Sequence, residues 1–360
     1  MVVLSVLLLS SVPANAKKKL PNRAAMKSLG AAIESYHRAD FDGAMERFNR
    51  AVSLYPDWKT AVAYRAMCRW ARGDKAGAAE DAEGALRLRP NTGQSFVGRG
   101  MARLIKKDLD GAQEDFEDAI GLEPDLPEAH YALGTVESMR GNLPAALERL
   151  DNAVRIKSNY AVALLLRGNV KDRRKDFAGA VKDYNRVLEI NPRFTTVLYW
   201  RAKSFRDVKE YRKSLLDLDE FLEAAPDFVD GVYLRGNVRA LMGDFEGAVA
   251  DLDRVLELDP KRGLAYSNRG LARFKLGDRT GALDDLRKAM AMDPGRKQKI
   301  EAVIEQIEYS EPPAEGGAGP GSDAAVVAVP AEEETAPKSG KAASPSTMEE
   351  GGQEEAIFVP

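Results

Sequence analysis

Residues 263–294 read G-L-A-Y-S-N-R-G-L-A-R-F-K-L-G-D-R-T-G-A-L-D-D-L-R-K-A-M-A-M-D-P. Gly270 is followed twelve residues later by Ala282, then by Leu286, Ala289 and a closing Pro294. Spacings of three, four and seven place Ala282, Leu286 and Ala289 on one face of a helix. Gly277-Asp278 breaks the pattern, so the stretch reads as two helices joined by a tight turn.

The same pattern returns every 34 residues. Pro56, Pro90, Pro124, Pro192, Pro226, Pro260 and Pro294 share one slot, with Ser158 in the remaining place. Small residues recur at Ala32, Ala66, Gly100, Gly134, Gly168, Ala202, Gly236 and Gly270. A large residue recurs at Phe48, Phe116, Leu150, Tyr184, Leu218, Leu252 and Leu286, with Ala82 the exception. Gly73-Asp74, Gly141-Asn142 and Gly243-Asp244 repeat the mid-unit break. Pro127 and Pro144 fall in first helical turns, where a missing N–H costs nothing. The chain is therefore an internal repeat, with eight helix–turn–helix units over 23–294. Ser214 and Phe221 stand where Ala is usual, and Phe221 is expected to spread its hairpin or distort the local pitch.

These units resemble the tetratricopeptide repeat (TPR), most fully in 263–294, and the likeness covers about three quarters of the chain. It implies an all-α fold, a right-handed α-solenoid with a concave inner surface. Residues 295–309, with Ile300, Val303, Ile304 and Ile307 at helical spacing, read as an amphipathic capping helix. Comparing the units yields one pairing. Arg65, Arg99, Arg167, Arg201, Arg235 and Arg269 share a slot, and sixteen residues later stand Asp81, Asp115, Asp183, Asp217, Asp251 and Asp285. Where the Arg is absent, at Ala31 and Leu133, so is the Asp. These pairs are expected to join helices within a hairpin or between neighbours and to fix register.

Composition narrows the function. The 360 residues carry 53 Lys+Arg against 56 Asp+Glu, two His and one Cys. A single Cys excludes an intrachain disulfide, and with two His it excludes a Cys/His zinc cluster. No G-x-S-x-G elbow, P-loop or H-E-x-x-H occurs, and His37 and His130 lie in different units. No catalytic residue, metal site or cofactor is assigned. Cys68 reads as a small core residue.

The two ends differ from the middle. Residues 2–13 are apolar and lead into Ala14-Asn15-Ala16, a small-x-small cleavage pattern. This reads as a signal peptide over 1–16, followed by a linker over 17–22. It places the mature chain in a periplasmic or extracellular space, with membrane contact only through the leader. The missing basic n-region and Lys17-Lys18-Lys19 keep a cytoplasmic location as the alternative. Residues 310–360 are rich in Pro and Gly and read as a disordered tail. From Glu311 onward they hold ten acidic residues against Lys338 and Lys341, a net −8 that leaves +5 for the remainder.

The family likeness assigns the concave groove to the first helix of each unit. By register its slots hold Tyr131, Thr135, Leu165, Asn169, Arg173, Tyr199, Lys203, Arg206, Tyr233, Asn237 and Asn268. Aromatic rings beside Asn suit an extended peptide or a helix of a partner protein. In the N-terminal units the slots are apolar, at Met67, Trp70, Val97, Met101 and Leu104, and for Met67, Met101 and Leu104 packing is the leading reading. Asn237 and Asn268 match two positions of the family's carboxylate clamp, but Tyr233, Gln298 and Ala302 replace its cations, so that role is not expected. The reading is a non-enzymatic interaction scaffold. The alternatives are an intracellular adaptor and, from another class, a nucleic-acid or polyanion binder, for which no continuous basic stripe is evident.

Overall fold

Eight residues with positive φ, one per unit, turn the chain back on itself: Ala39, Gly73, Lys107, Gly141, Lys175, Lys209, Gly243 and Gly277. They split the units into hairpins. These are α1 (Arg23–His37) with α2 (Phe41–Leu54), α3 (Lys59–Ala71) with α4 (Lys75–Ala85), and α5 (Gly93–Ile105) with α6 (Leu109–Leu122). Next come α7 (Pro127–Met139) with α8 (Leu143–Ile156), α9 (Ala161–Arg173) with α10 (Phe177–Ile190), and α11 (Thr196–Asp207) with α12 (Tyr211–Ala224). The last are α13 (Val229–Leu241) with α14 (Phe245–Leu258) and α15 (Gly263–Lys275) with α16 (Arg279–Met292). A 3-10 turn at Pro294–Arg296 leads into α17 (Lys297–Tyr309). This computed structural model describes residues 21–309, and no strand occurs among them. The expected leader over 1–16, nearly all of the linker and the acidic tail lie outside the described residues.

After each turn an Asp usually caps the second helix. Asp40, Asp74, Asp108, Asp176, Asp244 and Asp278 accept the N–H of a glycine three residues on, at 2.8–3.0 Å. A Cβ on Gly281 would stand 2.1 Å from the Asp278 carboxylate, so the cap and the glycine belong together. Hairpin six lacks this device: Glu210 makes no side-chain cap.

Two fits hold the hairpins. Within each, the small slot of the first helix receives the large residue of the second: a Cβ on Gly168 would lie 2.5 Å from the Tyr184 ring, and one on Gly100 2.4 Å from Phe116. Between hairpins runs a charge ladder. All six arginines reach the Asp sixteen residues ahead, in the second helix of their own hairpin, at 2.5–2.7 Å. Five also reach back to the second helix of the preceding hairpin: Arg65 to Asn49, Arg167 to Asp151, Arg201 to Asn185, Arg235 to Asp219 and Arg269 to Asp253. The Asp is itself shared with a second cation one turn on, as with Arg69, Arg103, Lys171, Arg239 and Arg273. Register is thus pinned across three helices at a time. Phe221 packs on Tyr199 and Phe228 at 5.7 and 5.3 Å, where Gly231 of the next hairpin leaves it room.

First helices of neighbouring hairpins touch one another, whereas second helices meet the next hairpin only through its first helix. The first helices therefore line the inside of the curve. That curve is tight. Gly98 would bring a Cβ within 3.1 Å of Ala63, so α5 lies directly on α3, and by the fifth hairpin α9 rests on α1. α17 follows α16 in the register of another first helix, with Ile300, Val303 and Ile307 buried.

Removing Asp183 takes the carboxylate partner from Lys171 and leaves Arg167 with Asp151 alone. Asp183→Ala should cost about 3–5 kcal/mol in urea unfolding of the full chain, and Gly168→Ala about 1–3 kcal/mol through overpacking. Gly30→Ala, a helix position with nothing within 4 Å, should instead gain up to about 1 kcal/mol.

Candidate partner-binding groove

The tight curvature divides the inner face into two parts. Hairpin one closes against hairpins four and five. His37 Nε2 lies 2.9 Å from Glu128 Oε1, with both side chains about 5 % exposed. The His37 ring packs on Tyr160 at 4.2 Å, and Tyr160 on Tyr131 at 5.3 Å. Outside this seam Lys157 pairs with Glu34 at 2.7 Å, Asn191 donates to the Ala39 carbonyl at 3.0 Å, and Phe41 meets Phe194 edge-on at 5.7 Å. Burial pushes the Tyr131 hydroxyl up to about 12 and those of Tyr36, Tyr64 and Tyr160 well above their usual value, so all four remain neutral.

Three expected groove residues are lost to this closure. Tyr131, Thr135 and Leu165 are 3 %, 0 % and 1 % exposed, because the inner faces of hairpins one to five pack on each other and leave no trough. Met67, Val97, Met101 and Leu104 are core residues for the same reason. Cys68 is also buried; its thiol, pushed up to about 12 by burial, donates to the Phe41 carbonyl at 3.3 Å.

Hairpins six to eight form an arm whose inner face no earlier hairpin covers among the described residues. The apolar core divides at α11, between Val197 and Leu198, and its halves share only half-buried Leu188 and Trp200. A polar joint occupies the divide. Asp172 on α9 accepts from Ser204 on α11 at 2.7 Å, and the single Tyr184 O–H on α10 is shared between Asp172 at 2.8 Å and Asn169 Oδ1 at 2.6 Å. Arg173, exposed at the end of α9, donates to the carbonyl and hydroxyl of Ser138 at 3.1 Å.

Beyond the joint lie the remaining expected residues. Lys203 sits over the Trp200 ring at 5.7 Å, and Arg206 pairs with Asp207 at 2.7 Å. Tyr199 and Tyr233 are buried walls rather than exposed platforms. The Arg262 guanidinium covers the Tyr233 ring at 4.3 Å and is held by Asp230 at 2.5 Å. Asn268 donates one amide proton to Tyr233 Oη at 3.0 Å and the other to Asn237 Oδ1 at 2.7 Å. That leaves Asn237 Nδ2 as a donor and Asn268 Oδ1 as an acceptor with no partner among the described residues. One donor beside one acceptor complements a peptide backbone unit. Asp172, Asp230 and Arg262 escaped the sequence reading. Their only signal there was that Asp172 and Asp230 fall on inner-face slots of the first helices.

Residues 29–92 and 98–162 match a family model described as tetratricopeptide repeat, and 236–277 match a second TPR repeat model. The chain is a tetratricopeptide-repeat protein. Among solved structures, the TPR chain resembles the APC/C hetero-tetramer Cut9–Hcn1 with a TM-score of 0.61 at 11 % identity, over 78 % of this chain and 55 % of that one. It thus spans little more than half the length of that relative. A Pseudomonas aeruginosa pilF structure gives 0.50 at 15 %, over 58 % and 96 %. YrrB, a TPR protein with an unusual peptide-binding site, gives 0.48 at 22 %, over 53 % and 98 %. These likenesses are of fold. No curated protein matches the chain in sequence.

Burial raises the Asp172 carboxyl from 3.8 to about 6, against the opposing hydrogen bonds of Ser204 and Tyr184. The folded state holds this proton more tightly than the unfolded one. The resulting stabilisation is full below about pH 4 and is lost as the pH rises through 6, about 3 kcal/mol in all. Between pH 4 and 7.5, urea unfolding should therefore shift in favour of Asp172→Asn over the parent chain by up to that amount.

Proposed function

We propose that this TPR protein is a non-enzymatic scaffold that holds an extended segment of a partner protein on the inner face of the arm. The fixed Asn237–Asn268 pair carries the reading. Its free donor and acceptor match a backbone amide whatever the partner's side chains, while Lys203 and Trp200 supply charge and area nearby. The closed first turn has no inner surface to offer, so Lys203, Arg206, Tyr233, Asn237 and Asn268, all on the arm, are the expected residues that serve this role. The scaffold works in an exported compartment, which the apolar run over 2–13 and Ala14-Asn15-Ala16 favour. N-terminal sequencing of the native protein should begin at Lys17; an intact Met1 would place it inside the cell.

The groove is tested with a partner recovered by affinity capture from the native compartment. Asn237→Ala with Asn268→Ala should weaken its binding about tenfold or more, two hydrogen bonds at about 1 kcal/mol each, with the melting temperature little changed. Full affinity in that variant would move the site elsewhere.

A further inference from the structure

The first helices all run in the same direction, so their turns into the second helices share one edge of the solenoid. Contacts between adjacent turns show this: Arg72 pairs with Asp42 at 2.9 Å, and Arg173 reaches Ser138. On hairpins five and six this edge is strongly basic. Residues 171–176 and 206–213 hold eight basic side chains against four acidic ones.

The acidic members are already engaged. Asp176 caps α10, Asp207 holds Arg206, Glu210 holds Lys213, and Asp172 lies in the joint. Arg174, Lys175, Lys209 and Arg212 are exposed and have no carboxylate partner among the described residues. Positive φ holds Lys175 and Lys209 at the tips of their turns. A cation at the end of α9 complements that helix's dipole, but Arg212 and Lys213 sit in the first turn of α12, where the dipole disfavours them. Helix capping therefore does not account for this excess.

We propose that this rim is the docking surface for the chain's own acidic segment, centred on Glu332-Glu333-Glu334. Charge is the first reason, because ten acidic residues follow residue 310 and the arm has few free cations elsewhere on this edge. Geometry is the second. The Glu308 carbonyl accepts from Arg279, the first residue of α16. α17 therefore ends, and the segment departs, at the same edge as the turns. Reach is the third. Glu332 lies 23 residues beyond Tyr309, and random-coil statistics give a separation of that length an average span of about 25–30 Å. The step from α17 back to α11 crosses three inner-helix spacings of about 8–10 Å each, roughly the same distance. A linker matched to its span gives an effective concentration in the mM range, enough for a weak ionic contact to be populated. The segment would then shield the rim and set a threshold for any acidic competitor.

Zero-length carbodiimide cross-linking of the full chain, read by mass spectrometry, tests this. The expected products join Glu332–Glu334 to Lys175, Lys209 or Lys213 within one chain, established by mixing isotope-labelled and unlabelled protein. Their yield should fall about fivefold or more in 0.5 M NaCl, where exposed ionic contacts are screened. It should fall likewise in Arg174→Glu with Arg212→Glu, which keeps every cross-linkable lysine. Cross-links to Lys203, Lys275 or Lys299, links only between chains, or a yield insensitive to salt and to charge reversal would each overturn the proposal.

Discussion

A two-helix hairpin cannot cover its own apolar faces, so each hairpin here depends on the next, and the geometry of that covering decides everything else. The charge ladder sets the geometry on the outer side. An arginine such as Arg167 reaches Asp183 ahead and Asp151 behind, and so holds three helices at one angle. On the inner side the distance is set by what is missing, as at Gly98 against Ala63, where two first helices come into direct contact. Fixed outside and pinched inside, the stack curls until hairpin five meets hairpin one.

That meeting gives the molecule its two parts. The first turn fills its own interior with tyrosines, His37 and Glu128, and becomes a closed platform. Past the polar joint at Asp172, Ser204 and Tyr184 no other hairpin faces the arm among the described residues, and its inner face carries amide groups left open to solvent.

The 34-residue period, the hairpins and the Arg–Asp pairs were legible because each is local: all repeat within a unit or between neighbours. The closure was not. It is the sum of small inter-hairpin angles over five units, and it depends on contacts such as His37 with Glu128 that no repeat slot encodes. For this reason Tyr131, Thr135 and Leu165 read as groove residues by register and are buried in fact. The Asp caps were readable as Asp-x-x-Gly after six of the eight breaks, a signal masked where Gly-Asp reads only as a breaker. Asp172 was hidden differently, since a single Asp on a helix with three other charges gives no hint that a Tyr and a Ser will enclose it.

Thr135 and Asn237 occupy the same slot of hairpins four and seven, so the division of the inner face makes opposite demands on them. Thiol labelling compares the two directly, in full-length Thr135→Cys and Asn237→Cys chains whose native Cys68 is buried. Residue 237 should label freely and residue 135 more slowly by about a hundredfold or more, limited by opening of the first turn. Equal rates would mean that the first turn is open and that the groove runs the whole length of the solenoid.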